Sequence, residues 1–176
     1  MFTVEPRRLS QILVLALLSS GSAIASVSAA PFSVFGLHFG EPFDPSHAIG
    51  KNMLINGEVL YQVKAPQPYP PFRQYFVAIT PNGHHIYSIL AMGQVDSDKT
   101  CAIDQEHLLQ PLAETEGGKL QTSSNLFRRR ATVAGKVLRA SIECLWTTNP
   151  GITLRAAYED PGLAASANPS STQGSR

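Results

Sequence analysis

The apolar positions along this chain change their rhythm several times, and each rhythm predicts a different element. A solid run comes first, Ile12-Leu13-Val14-Leu15-Ala16-Leu17-Leu18. Alternation follows: Phe35, Leu37 and Phe39, then Val59, Tyr61 and Val63. A period of two marks a half-buried strand, so both stretches are expected to be strands. Asp44-Pro45-Ser46 reads as the start of a short helix reaching Ile49, and Gly50 and Gly57 bracket a loop. Aspartate caps a helix and proline suits its first turn.

Residues 74–80 and 85–92 are apolar on both faces and flank Pro81-Asn82-Gly83-His84. Asn-Gly is a strong hairpin signal, and strands apolar on both faces are expected near the middle of a sheet, covered on each side. By alternation, Tyr75, Val77 and Ile79 share one face and Phe76 and Ala78 the other. In the partner, Ile86, Leu90 and Met92 stand against Tyr87, Ile89 and Ala91.

The spacing then becomes helical. Cys101, Leu108, Leu109 and Leu112 recur on one face after the capping run Asp96-Ser97-Asp98. Gly117 or Gly118 is the expected stop, and Pro111 is expected to kink or shorten the helix. Three more strands are expected, over 126–133, 137–146 and 152–158. In the second of them, Leu138, Ala140, Ile142, Cys144 and Trp146 face one way, and Arg139, Ser141 and Glu143 the other. Such a strand has one wet face, as in an antiparallel sheet. From Pro161 the chain is Gly, Ala, Ser, Asn, Pro, Thr and Gln, apart from Leu163 and the terminal Arg176, and reads as a disordered tail.

The first apolar run takes its meaning from its flanks. Arg7 and Arg8 precede it, and the small residues Val27-Ser28-Ala29 follow, with Ala23-Ile24-Ala25 as a second choice. This is the layout of a cleavable export signal. The run stops at Ser19-Ser20-Gly21, short of the roughly 20 apolar residues of a spanning helix. Cleavage after Ala29 leaves 147 of the 176 residues, a size for one domain. Removing Glu5, Arg7 and Arg8 takes 13 acidic and 14 basic residues to 12 of each. A neutral chain disfavours a general nucleic-acid or anionic-membrane partner.

Export also changes the reading of Cys101 and Cys144, the only two cysteines. In an oxidising compartment a disulfide is the expected state. Chain entropy assigns the loop it closes about 4 kcal/mol. The bond would pin the start of the helix to the inward face of the strand carrying Cys144.

No Gly-x-Ser-x-Gly elbow, His-Glu-x-x-His, phosphate loop or dinucleotide fingerprint is present. His84 and His85 are adjacent in a hairpin, where neighbouring side chains diverge, and no metal site or cofactor is expected. Asp104, Glu106 and His107 lie within one helical turn, and Asp104 and His107 could form an acid–base pair or belong to a solvated helix face. Arg128 and Arg130 share one strand face, opposite Arg129. They could bind an anionic group or a partner's carboxylates, or simply protect an edge strand with charge.

Ala65-Pro66-Gln67-Pro68-Tyr69-Pro70-Pro71-Phe72 is stiffened by four prolines. It either presents Tyr69 and Phe72 for recognition or folds down and buries both rings.

Several spaced residues carry a resemblance. They are Phe35-Gly36-Leu37-x-Phe39-Gly40; Tyr61-x-Val63-x-x-Pro66-x-Pro68-x-Pro70-x-Phe72-x-x-Tyr75-x-Val77; Thr80-Pro81-x-Gly83; Ile89-x-Ala91-x-Gly93; and Cys101 opening a helix. The chain resembles a group of small exported bacterial proteins of unknown function over residues 34–115. It departs at Glu114-Thr115-Glu116-Gly117-Gly118, where a Lys-Tyr-Gly ending is usual. The resemblance implies a bacterial origin and a place in the periplasm or beyond, and it brings no catalytic residues.

The expectation is a leader over 1–29, a single α+β domain over 30–160 and a tail over 161–176. The domain should be an antiparallel sheet of five or six strands with one main helix across it. The leading functional expectation is a non-enzymatic binding or inhibitor module with a protein partner in the cell envelope. The alternatives are a small hydrolase using Asp104, Glu106 or His107, and a small-ligand domain binding between sheet and helix.

Overall fold

The computed structural model describes residues 32–54, 57–146 and 151–167. The expected leader, residues 55–56 and 147–150, and the chain beyond 167 lie outside the described residues. A small hairpin, β1 (Ser33–Val34) and β2 (Leu37–His38), precedes a 3-10 turn at Pro45–His47. Strands β3 (Gly50–Met53), β4 (Val59–Val63), β5 (Phe72–Ile79) and β6 (Ile86–Val95) lead into helix α1 (Asp98–Glu116). Then come β7 (Leu120–Ser124), β8 (Arg128–Ala134), β9 (Arg139–Trp146), β10 (Ile152–Glu159) and helix α2 (Pro161–Ala167).

The architecture is α+β, with a main sheet of eight antiparallel strands in the order β3-β4-β5-β6-β10-β9-β8-β7, more than the five or six expected. The shortfall lies at the two edges. Lys51-Asn52-Met53 of β3 and Gln121-Thr122-Ser123-Ser124 of β7 are exposed and carry no alternation that periodicity can detect. They are strands because β4 and β8 offer free edges to pair with.

The predicted strand at Phe35–Phe39 is a hairpin instead. Phe35 and Gly36 take positive φ of 56° and 76°, the pair that a tight primed turn requires. A Cβ on Gly36 would come within 2.9 Å of the Pro66 Cβ, so this turn must sit directly on the proline segment. The Gln67 N–H donates to the Phe35 carbonyl at 2.9 Å and locks the two together.

Strands β5 and β6 lie inside the sheet and are covered on both faces. Tyr75, Val77, Ile89 and Ala91 join the main core, and Phe76, Ala78, Tyr87 and Leu90 a second cluster on the outer face. One detail departs from strict alternation. A register irregularity beside Ala78 and Ile79 turns Ile86 inward with Ile89 and sends Tyr87 to the outer cluster.

Helix α2 stands where the tail was expected to begin. Asp160 caps it by accepting from the N–H groups of Gly162 and Leu163. Leu163, Ala164 and Ala167 then pack on the outer cluster, so small residues suffice to hold a helix against Phe76 and Leu90.

Helix α1 starts where Ser97 accepts from the Thr100 N–H at 3.1 Å, and stops at Gly117 with φ of 66°. It runs through Pro111 without being shortened. Its buried stripe is Cys101, Gln105, Leu109, Leu112 and Ala113, set against β8 and β9. A disulfide joins Cys101 to Cys144 of β9, with Cα atoms 6.3 Å apart. Gln105 adds a second tie, donating to the Ile142 carbonyl at 2.9 Å and accepting from Arg129 Nε at 3.0 Å. No helix among the described residues is long and apolar enough to cross a membrane.

The inner face of the sheet is therefore covered by two devices. Helix α1 lies over β8, β9 and β10, while Phe35 of the β1–β2 hairpin packs on β5 and β10 and Tyr69 of the proline segment on β5. The crossing of β5 and β6 near Phe72 needs a residue without a side chain, because a Cβ on Gly93 would overlap the Pro71 carbonyl. Gly93→Ala is expected to lower stability by about 3 kcal/mol through forced separation of these strands, measured by chemical denaturation.

Candidate functional site

Two surfaces contain the residues singled out by sequence, and a third stands beside them. The first is the seam between α1 and the proline segment. Phe35, carried in by the hairpin turn, meets Phe72, Tyr75 and Tyr158 edge-on at centroid distances of 5.4, 5.3 and 5.9 Å. Phe72 is 3 % exposed and belongs to this core, the buried one of the two places open to it. It is the first residue of β5 and points inward, so the segment has folded down rather than out.

Tyr69 is only half-buried. Its N–H donates to the Tyr75 hydroxyl at 2.8 Å, and that hydroxyl in turn donates to the Tyr69 carbonyl at 3.2 Å. The Tyr69 hydroxyl donates to Asp104 Oδ1 at 2.8 Å, and its ring stacks on His107 at 5.8 Å. Asp104 is buried, not on a solvated helix face, and its Oδ2 has no hydrogen-bond partner. Among the described residues no hydrogen bond joins Asp104 to His107, and Glu106 and His107 are exposed. The spacing that suggested an acid–base pair has produced a carboxylate engaged by a tyrosine instead.

Burial, with the Asp104 hydrogen bond and charge adding to it, pushes the Tyr69 hydroxyl up to about 12. Burial also raises Tyr158, with a smaller contribution from Tyr69. A cavity of about 410 Å³ opens along this seam, lined by Phe35, Pro68, Tyr69, His107, Pro111 and Tyr158 among others.

The second surface is the outer face of β8, β9 and β10, which α2 leaves uncovered. Register places Arg130, Glu143 and Arg155 in one row across the three strands, Thr132, Ser141 and Ala157 in the next, and Ala134, Arg139 and Glu159 in a third. Arg128 and Arg130 both reach Glu143 Oε1 at 3.5 Å. For Arg130 this is an ion-pair distance only, since its Nε is buried without a hydrogen bond. At this length, and with the arginine side chains 46 % and 43 % exposed, such pairs hold their partners weakly, at about 0–1 kcal/mol each. Arg129 points the other way, toward Asp98 at 3.5 Å and Gln105 on α1.

The third surface was not anticipated. The β7–β8 turn holds Leu126 and Phe127 in solvent at 82 % and 69 % exposure. The expected strand start at Leu126 is a turn because Asn125 Oδ1 accepts from the N–H groups of Phe127 and Arg128, at 3.0 and 2.8 Å. The Trp146 N–H donates to the Phe127 carbonyl at 3.1 Å and anchors the turn to β9. Asn before a Leu-Phe pair was the available signal, an Asx turn inside what read as a continuous strand.

The structure thus separates the candidates. Tyr69 and Phe72 belong to the inner side of the sheet, and Arg128 and Arg130 to the outer side beside the Leu126–Phe127 tip. His84 is exposed with φ of 52°, and His85 Nδ1 lies 2.8 Å from the Gly40 carbonyl. Among the described residues no three His, Cys, Asp or Glu side chains gather into a metal-binding group. Comparisons with protein-family models, with curated proteins and with solved structures return no match.

The raised Tyr69 hydroxyl gives a signed pH dependence. An unfolded tyrosine ionises near its ordinary 10.0 while folded Tyr69 keeps its proton to about 12. The folded state then binds more protons, so stability falls as pH rises through that window. Tyr69→Phe is expected to make this fall less steep and to remove one late step from the tyrosine absorbance titration. An unchanged titration would contradict the assignment.

Proposed function

We propose that this protein is exported from a bacterial cell and acts in the envelope as a non-enzymatic binding or inhibitor module. Its partner is a protein with an apolar pocket rimmed by carboxylates. The observation that carries this reading is the exposure of Leu126 and Phe127 on a turn closed by Asn125. Two large apolar side chains on a preorganised turn lose little freedom when a pocket takes them up, which is how an interface anchor works. The same strand then presents Arg128 and Arg130, arginines tied only by long contacts to Glu143. Arginine beside an aromatic anchor suits a partner's carboxylates, through bidentate hydrogen bonds.

Export is supported by the leader pattern over residues 1–29, by the resemblance to small exported bacterial proteins, and by the chemistry of a disulfide, which persists in oxidising compartments. The hydrolase alternative finds no support in the arrangement of Asp104, Glu106 and His107.

A photo-crosslinking residue at position 127, expressed in the native host, is expected to trap one discrete partner. The same residue at Lys51, on the opposite edge of the sheet, should trap none. Phe127→Ala should weaken capture by about thirtyfold, equivalent to about 2 kcal/mol, and leave stability within about 0.5 kcal/mol. Equal trapping at both positions, or none at 127, would contradict the reading.

A further inference from the structure

We infer that the seam cavity between α1, the β1–β2 hairpin and the proline segment is a binding site for an organic ammonium ion, one with a compact apolar body around its positive nitrogen. This site is separate from the protein-docking tip and does not depend on it.

Four observations point to a cation. The first is the aromatic lining. Phe32, Phe35, Tyr69 and Tyr158 all border the cavity, and ring faces attract ammonium groups through the negative face of their quadrupole. The second is charge. Among the described residues, the lining holds no Lys, Arg, Asp or Glu, yet Asp104 lies one hydroxyl behind it, hydrogen-bonded to Tyr69. Asp104 is 6 % exposed, its Oδ2 has no partner, and none of the three ion pairs involves it. An uncompensated carboxylate in a poorly solvated place favours positive charge nearby.

The third is a helix carbonyl. Pro111 has no N–H, so the His107 carbonyl lacks its usual intrahelical donor four residues on. Both residues border the cavity. The fourth is the Tyr69 hydroxyl. Its proton is committed to Asp104 and held there to about pH 12, so toward the cavity the oxygen can only accept. An anion would meet the Asp104 charge behind this wall, and a neutral apolar ligand would leave that charge unanswered.

The volume, about 410 Å³, is within the range of sites for small organic molecules. Val34, Leu108 and Leu112 supply apolar contacts for the body of the ligand.

Calorimetry on the disulfide-bonded protein tests this with benzyltrimethylammonium and choline, against 3,3-dimethylbutan-1-ol, the uncharged isostere of choline. The expected result is saturable binding of both cations and at least tenfold weaker binding of the alcohol. Asp104→Asn keeps an acceptor for the Tyr69 hydroxyl and removes the charge, and should weaken the cations roughly tenfold without affecting the alcohol. Tyr69→Phe keeps the ring and should retain most of the cation preference, whereas Tyr69→Leu should lose it. A merely structural role for either residue would change stability and leave the cation-to-alcohol ratio unmoved. Sedimentation with phosphatidylcholine and with phosphatidylglycerol vesicles separates a lipid headgroup from a free ion as the source. Equal affinity for cation and alcohol, or no binding of either cation at millimolar concentration, would overturn the proposal. Partner crosslinking at position 127 reads independently of every one of these outcomes.

Discussion

The bond between Cys101 and Cys144 sets the position from which the rest of the inner face is built. It fixes the first turn of α1 over the C-terminal half of β9, with both cysteines fully buried. The helix itself offers a narrow apolar stripe, interrupted by Asp104 and Gln105, so packing alone holds it weakly. A covalent tie at one end and the Gln105 bridge one turn later fix both its distance and its rotation. With the rotation fixed, Asp104 comes to face the proline segment, and Tyr69 has a carboxylate to dock on.

The sheet is wider than one helix can cover, and this shapes both faces. On the inner side the β1–β2 hairpin completes the cover by pushing Phe35 into the ring cluster of Phe72, Tyr75 and Tyr158. Helix and hairpin do not merge, and the cavity is the space left between them. On the outer side α2 covers β6 and leaves β8 to β10 open, with their charged rows and their projecting tip. The projecting tip and the seam cavity are thus two consequences of one mismatch between sheet width and helix number.

How much of this was legible in the sequence follows from what each residue's environment demands. The span of α1 and the wet-faced strand β9 were readable because burial on one side imposes a period on them, and the β5–β6 hairpin because burial on both sides leaves two apolar runs around Asn82-Gly83. The edge strands were not, because Lys51, Asn52 and Gln121 to Ser124 pair through backbone alone, and backbone pairing leaves no mark on side-chain choice. Helix α2 was hidden for a related reason, since small residues suffice where the sheet supplies Phe76 and Leu90. At the candidate sites, the cysteine pairing was readable from compartment chemistry. The link from Tyr69 to Asp104 spans 35 positions and rests on the rotation of α1, which no local pattern encodes. Gln105 escaped notice because a polar residue in a buried stripe looks like a break in the stripe until its strand partner is known.

The account stands or falls on whether the disulfide positions α1 and through it the seam. Hydrogen exchange of the oxidised protein against a Cys101→Ala/Cys144→Ala variant measures this directly. The expected result is a loss of protection along α1 and at the Tyr69 amide, with the β5–β6 hairpin still protected, because that hairpin is held by its own core. Protection of α1 and Tyr69 that survives removal of both sulfurs would contradict it, and the helix would then be held by packing and Gln105 alone.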